Sequence, residues 1–274
     1  MESNNKLSVS IVLPTLNELD NIKILIPEII KEVEKINDLE QYQIIVVDDN
    51  SEDKTENYLK QQLKETPNIF KYLIRKDNRS LSESILDGIK YSDNEYVIWL
   101  DADGSMDAKS IVKLITTQQK NKTSVIIGSR FIEGGGYKGI KGGNSEGIIS
   151  ASKQVYKSKD SVLGLILSIF FNKLLLLLLP TGVKDITSGF ISINKKLIDE
   201  NIFLDKNYGE YFIYLVTSIL IKKQNIIEVG YICKTREHGE SKTAPSILKL
   251  AVRGLPYIKA ANESRRVLKN AHKR

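Results

Sequence analysis

The chain has 274 residues, of which 41% are hydrophobic, and its 40 Lys and Arg against 34 Asp and Glu give a formal net charge of +6. This is the composition of an ordinary globular protein, enough for one large α/β domain with or without a small appendage. The mild, interspersed positive excess argues against a nucleic-acid partner and suits anionic substrates or an anionic membrane surface.

Cys233 is the single cysteine, which rules out an intrachain disulfide and points to a reducing, cytoplasmic setting. His238 and His272 are the only histidines, too few for most histidine-based catalysis. The polar start from Met1 to Lys6 lacks an apolar signal region.

In chain order, Val9 to Leu13 reads as a strand that stops at Pro14. Asn21 to Ile36 reads as a helix, with Ile22, Leu25, Ile26, Ile29, Ile30 and Val33 on one face. Tyr42 to Val47 is an unbroken apolar run of the kind buried on both faces of a sheet, and Asp48-Asp49-Asn50-Ser51 ends it. A helix from Thr55, a strand at Ile69 to Ile74 and a helix at Ser80 to Tyr91 follow. Next come a strand at Tyr96 to Leu100, a helix at Ser110 to Gln119 and a strand at Ser124 to Ile127.

The second half is less regular. Gly134 to Gly147 reads as a mobile glycine-rich loop, and Val162 to Leu179 as a nearly apolar helix interrupted by Asn172 and Lys173. Its length approaches that of a membrane span. A crossing would separate the motifs on its two sides, so the expectation is a helix lying on a bilayer or buried against the domain. Lys184 to Asn194 reads as a turn and strand, Tyr211 to Ile221 as a helix, and Ile226 to Thr235 as a strand. The basic, partly amphipathic tail, with Ile247, Leu248, Leu250 and Val252, suits either an interfacial helix or a solvated end. Pro256 is expected to kink or break it.

Strands alternating with helices predict a largely parallel sheet covered on both faces, with ligands at the carboxyl ends of the strands. Polar residues gather at those ends: Asn17 and Glu18, Asp48 and Asp49, Asp101 and Asp103, Ser129 and Arg130. Asp101-Ala102-Asp103 presents two carboxylates two residues apart, and hard cations such as Mg²⁺ or Mn²⁺ take such oxygen ligands. The competing reading is that Asp103 only caps the next helix. Asp48 or Asp49 could accept hydrogen bonds from a base or a ribose while Ser51 or Asp53 caps. Arg130, and the stretch Arg236-Glu237-His238-Gly239-Glu240-Ser241-Lys242, are candidates for phosphate, which the planar Arg fork matches. The glycines after Arg130 lack the spacing and context of a dinucleotide fingerprint.

Taken together, these residues resemble the inverting glycosyltransferase family 2, in particular its dolichyl-phosphate mannosyltransferase branch. The resemblance runs from Val9-Ser10-Ile11-Val12-Leu13-Pro14-Thr15-Leu16-Asn17-Glu18 through Asp48 to Ser51, Asp101 to Asp103 and Gly128-Ser129-Arg130-Phe131. It resumes at Asp185-Ile186-Thr187-Ser188-Gly189-Phe190 and at Arg236, Gly239, Ser241 and Lys242. It implies a GT-A fold, a nucleotide-sugar-binding α/β domain on a mixed, mostly parallel sheet. We expect this domain over residues 1–243, with a basic helical tail over 244–274 that can lie on a membrane.

The resemblance also implies roles. Pro14, Leu16, Glu18, Asp48, Asp49, Asp101, Ala102, Asp103 and Arg130 fall on the donor side. Asp101, Asp103 and Ser105 are the candidate ligands for Mg²⁺ or Mn²⁺. Asp101, Asp103, Arg130, Arg236 and Lys242 are the candidate catalytic groups, and Asp185, Ser188, Gly189, Glu210 and Ser241 fall on the acceptor side. Leu16 stands where the family usually has Tyr, and Ser105 and Met106 stand where Gln or Ser and His often follow the acidic pair. The segment Lys138 to Lys159 is longer and richer in lysine than its counterpart.

The implied reaction transfers a hexose from a GDP- or UDP-sugar to a polyprenyl phosphate with inversion, on the cytoplasmic face of a membrane. A phosphate monoester, with a second pKa of about 6, is largely ionised at neutral pH and needs no strong base. A sugar hydroxyl as acceptor would need one, for which Asp185 and Glu210 are the candidates. A catalytically silent nucleotide binder is the reading from another class.

Overall fold

The computed structural model describes residues 6–76, 79–137, 140–141, 162–206, 208–234 and 247–271. In the first half β1 (Leu7–Thr15), α1 (Leu19–Val33), β2 (Leu39–Asp48), α2 (Thr55–Glu65), β3 (Phe70–Ile74), α3 (Leu81–Tyr91), β4 (Tyr96–Trp99), α4 (Ala108–Lys120) and β5 (Val125–Ser129) alternate as the sequence predicts. The second half holds β6 (Gly136–Tyr137), β7 (Ile140–Lys141), α5 (Val162–Leu178), β8 (Ile191–Asn194), α6 (Tyr211–Ile221), β9 (Ile226–Gly230), β10 (Ile232–Cys233) and α7 (Ile247–Ala271).

Seven strands form one sheet in the order β3-β2-β1-β4-β8-β5-β9, and β10-β6-β7 form a small second sheet. In the large sheet every pairing is parallel except those of β8, which runs antiparallel between β4 and β5. The chain therefore enters β8 at the edge where the parallel strands end, which brings Ser188 and Gly189 to the acidic edge.

Alternation along the strands divides the core in two. Ile11, Leu13, Ile44, Val46 and Ile98 face α1, α2 and α4, while Val12, Ile45, Val47, Val97 and Trp99 face α3, α5, α6 and α7. Each such fully buried aliphatic side chain contributes about 1.5–3 kcal/mol of transfer free energy. The approach of α3 to the sheet needs glycine: a Cβ on Gly88 would lie 2.3 Å from Val12 Cγ1.

Three expectations are corrected. The glycine-rich stretch, expected as a loop, contributes the two-residue strands β6 and β7. The expected strand from Ile226 is divided at Tyr231, which is buried and stacks edge-on against Phe190 at 5.3 Å. Pro256 does not end its helix, because α7 runs through it as α1 runs through Pro27. The carbonyls four residues earlier, on Val252 and Lys23, belong to exposed residues, where water replaces the lost donor.

No helix among the described residues is long and apolar enough to cross a membrane. Helix α5 instead buries Asn172, Leu175 and, just beyond its end, Leu179 against the body. The Asn172 amide donates to the Lys184 carbonyl at 2.8 Å, which accounts for a polar residue within that apolar run.

Candidate active site

The parallel register brings the ends of β1, β2, β4 and β5 to one edge of the sheet. The first two loops are latched together. The Asp49 amide donates to the Thr15 carbonyl at 2.8 Å, the Asn17 amide to Ser51 Oγ at 2.8 Å, and the Glu52 amide to Asn17 Oδ1 at 2.7 Å. Asn17 and Asn50 both hold positive φ, 52° and 60°, a region that asparagine tolerates better than most residues. Pro14 is buried in this wall and Leu16 is partly exposed.

Asp48 is almost wholly buried, and burial pushes its carboxyl above the usual range while its two hydrogen bonds with Ser51 pull the other way. One of these comes from the Ser51 amide at 3.0 Å and the other joins the Ser51 hydroxyl. Asp49 is likewise pushed up by burial, against the opposing charge of Arg75. Its oxygens accept from Arg75 Nη1 at 2.6 Å and from the Ser80 amide at 2.7 Å. Arg75 also binds Glu83 at 3.0 Å and Asp87 at 2.8 Å. Both carboxylates of the Asp-Asp pair thus hold the loops that frame the edge. Asp53 takes the Thr55 amide at 3.3 Å and the Leu19 amide at 3.0 Å.

Asp101 and Asp103 follow β4. Asp101 is exposed, Ala102 is buried, and Asp103 is 5% exposed with Oδ1 accepting the Ser105 amide at 2.9 Å. Helix α4 is capped not by Asp103 but by Asp107, which accepts the Ser110 amide at 2.9 Å. Gly104 turns the chain at φ +75° beside Asn21, and the Asn21 amide donates to Glu18 Oε2 at 2.6 Å. Glu18 is thereby tied to the acidic turn.

The Ser105 carbonyl accepts the Lys234 amide at 2.9 Å. Lys234 is the last described residue before the segment holding Arg236, Ser241 and Lys242, which lies outside the described residues along with most of Lys138 to Lys159.

No group of three or more His, Cys, Asp and Glu suited to a metal occurs among the described residues. Two carboxylates two residues apart, one exposed and one fixed by the loop, are the kind of oxygen ligands that a hard cation would take.

Arg130 is paired with an acid within the chain. Its Nε and Nη2 grip Asp185 at 2.7 Å each, and Nη2 also reaches Thr187 Oγ1 at 2.8 Å. The Arg130 amide adds a bond to Asp185 Oδ2 at 2.9 Å. Asp185 is fully buried, so its carboxylate serves this clasp. Ser188 Oγ donates to the Gly128 carbonyl at 2.5 Å, and Gly189 follows at φ +68°. A Cβ on Gly128 would lie 2.4 Å from the Phe190 ring, so this strand end also needs glycine.

Below the acidic turn lies an aromatic floor that the sequence patterns did not single out. Trp99 Nε1 donates to Tyr211 Oη at 3.0 Å, and Tyr211 stacks on Phe203 at 5.2 Å. The Tyr211 hydroxyl is raised well above its usual range, by burial first and then by the charge of Asp101. Tyr257 is pushed up to about 12 by burial and then by the charge of Glu210. Its hydroxyl accepts the Gly209 amide at 3.0 Å. Glu210, 5% exposed, accepts the Tyr208 amide at 3.0 Å. The only available signal was an aromatic residue at the end of the strand that carries the acids.

Comparison with known proteins gives the family and the fold. Residues 10–202 match the family described as Glycosyl transferase family 2. A dolichol-phosphate mannosyltransferase of Pyrococcus furiosus is 27% identical over 236 residues, 86% of this chain and 59% of that protein. An undecaprenyl-phosphate 4-deoxy-4-formamido-L-arabinose transferase of Proteus mirabilis is 28% identical over 122 residues, 44% of this chain and 36% of that one. The chain thus spans little more than half, or less, of these relatives' lengths.

Among solved structures, the glucosyl-3-phosphoglycerate synthase of Mycobacterium tuberculosis in complex with Mn²⁺, uridine-diphosphate and phosphoglyceric acid superposes with a TM-score of 0.61. The identity is 14%, and the match covers 94% of this chain and 78% of that one. Fold and family together make the chain a GT-A member of glycosyl transferase family 2.

Proposed function

We propose that the protein transfers a hexose from a nucleotide-sugar of the GDP-mannose or UDP-glucose type to a polyprenyl phosphate, with inversion and with Mg²⁺ or Mn²⁺. In this reading residues 1–243 are the catalytic domain and 244–274 a tail docked on it, working at the cytoplasmic face of a membrane. The observation that carries the reading is the pair Asp101 and Asp103 at the end of β4, on the sheet edge where the chain passes through Ser188 and Gly189 into β8. The choice of a lipid phosphate is supported by the two relatives whose names refer to dolichol phosphate and undecaprenyl phosphate.

Asp101 and Asp103 would hold the divalent cation, with Ser105 keeping the loop in place and offering its hydroxyl as a further ligand. When bound, the cation neutralises charge on the departing nucleoside diphosphate. The chain's own groups do the positioning. Pro14, Leu16 and Glu18 form the donor wall, and Asp48 and Asp49 hold its shape. Arg130 acts through Asp185 to fix the segment that carries Ser188 and Gly189. Arg236, Ser241 and Lys242 take the phosphates, with Arg130 on the donor side. An already ionised acceptor phosphate needs only to be held in line, which suits a site where Asp185 is clasped and cannot serve as a base.

The test offers one labelled nucleotide-sugar with three acceptors in turn: a short polyprenyl phosphate, a free sugar and phosphoglyceric acid. Label on the lipid phosphate alone is the expected result. Label on the free sugar would overturn the acceptor and turn attention to Glu210 as base. Donor binding without any product would favour a silent binder.

A further inference from the structure

Helix α7 packs between its neighbours through Ala260, Ala261 and Ser264, and α5 lies beside it. The Phe171 ring meets Tyr257 edge-on at 5.8 Å, and a Cβ on Gly254 would lie 3.2 Å from that ring. Large apolar side chains stand exposed on both helices. Phe170 is 64% exposed and Leu177 78% on α5, while Val252 and Leu255 are each 61% exposed on α7. Four large side chains left in water on two adjoining helices form a patch that calls for a partner.

The two helices themselves carry mostly positive charge, although Asp205 and Glu210 of the neighbouring segment line the groove beside Val252 and Leu255. Helix α5 carries Lys173 and no acid, and α7 carries six Lys and Arg against the single acid Glu263. Lys173, Lys259, Arg265, Arg266 and Lys269 are exposed. Apolar anchors beside basic side chains are complementary to a surface with anionic headgroups above acyl chains. Val252 and Leu255 also line a groove of about 660 Å³ between α7 and α6, whose inner wall includes Glu210.

We infer that the outer face of α5 and α7 docks on an anionic lipid bilayer, with Phe170, Leu177, Val252 and Leu255 entering the acyl boundary. This rests on the polyprenyl phosphate reading for its purpose but not for its test.

The full chain is sedimented with vesicles of phosphatidylcholine alone and with phosphatidylglycerol added, at low and high salt. Binding is expected only with the anionic vesicles and falls as salt is raised, since each Lys or Arg near the surface contributes about fivefold in affinity. The double variant Phe170→Ser, Leu177→Ser and the double variant Arg265→Gln, Arg266→Gln each lose most of that binding. Both keep the wild-type thermal unfolding midpoint, which shows that they fold. Wild-type binding in both variants, or no binding by the wild type, overturns the docking face. So does a wild-type dimer that the Phe170 and Leu177 substitutions dissociate, because the face then covers itself. Vesicle binding without transfer to any lipid phosphate upholds the face and removes the acceptor reading alone.

Discussion

Asp103→Ala is expected to lower kcat by about 10²–10³-fold, the usual cost of removing one group that stabilises charge in a transition state. Asp103 is the buried member of the acidic pair, and its carboxylate is fixed by the Ser105 amide at 2.9 Å. A ligand held in this way pays little ordering cost when a cation arrives. Asp103→Asn keeps the size and the bond from Ser105 but loses the charge, so it separates metal binding from loop structure. Mn²⁺ affinity measured by calorimetry in the presence of nucleoside diphosphate should fall in both variants, while thermal unfolding of Asp103→Asn stays near that of the wild type. Full turnover in Asp103→Asn would sink the metal assignment.

The second large effect concerns Arg130 and Asp185. The pair is buried, bidentate and closed by Thr187 and the Arg130 amide. Breaking such a pair by removing one partner costs about 3–5 kcal/mol, because the remaining charge stays buried without compensation. Asp185→Ala should therefore lower the urea midpoint sharply and reduce transfer through disorder of the segment entering β8. The double variant Arg130→Met, Asp185→Leu removes both charges and is expected to regain most of the stability without regaining transfer. Full activity in the folded double variant would show that the clasp has no part in shaping the acceptor side.

The layout of the site was legible because buried parallel strands are near-continuous apolar runs, and an acid that ends such a run stands out. Tyr42 to Val47 followed by Asp48, and Tyr96 to Leu100 followed by Asp101, are of this kind. Partners were not legible. Nothing in the order of residues says that Asp49 meets Arg75, or that Arg130 meets Asp185, because those contacts depend on the register between distant strands and loops. The antiparallel course of β8 was hidden for a related reason, since a run of four residues buried on both faces looks the same in either direction. Strands β6 and β7 lie in a glycine-rich stretch where turn chemistry outweighs any strand signal. Pro256 misled because its local cost is real but small at an exposed carbonyl, and α7 is held by tertiary packing.

The most direct test of the whole account follows label from a panel of nucleotide-sugars into a short polyprenyl phosphate, with Mn²⁺ and with EDTA. One donor is expected to deliver label to the lipid phase with Mn²⁺ and none to do so with EDTA. Transfer that persists undiminished in EDTA would contradict the assignment of Asp101 and Asp103, and bound donor with no label in lipid at any metal concentration would contradict the acceptor.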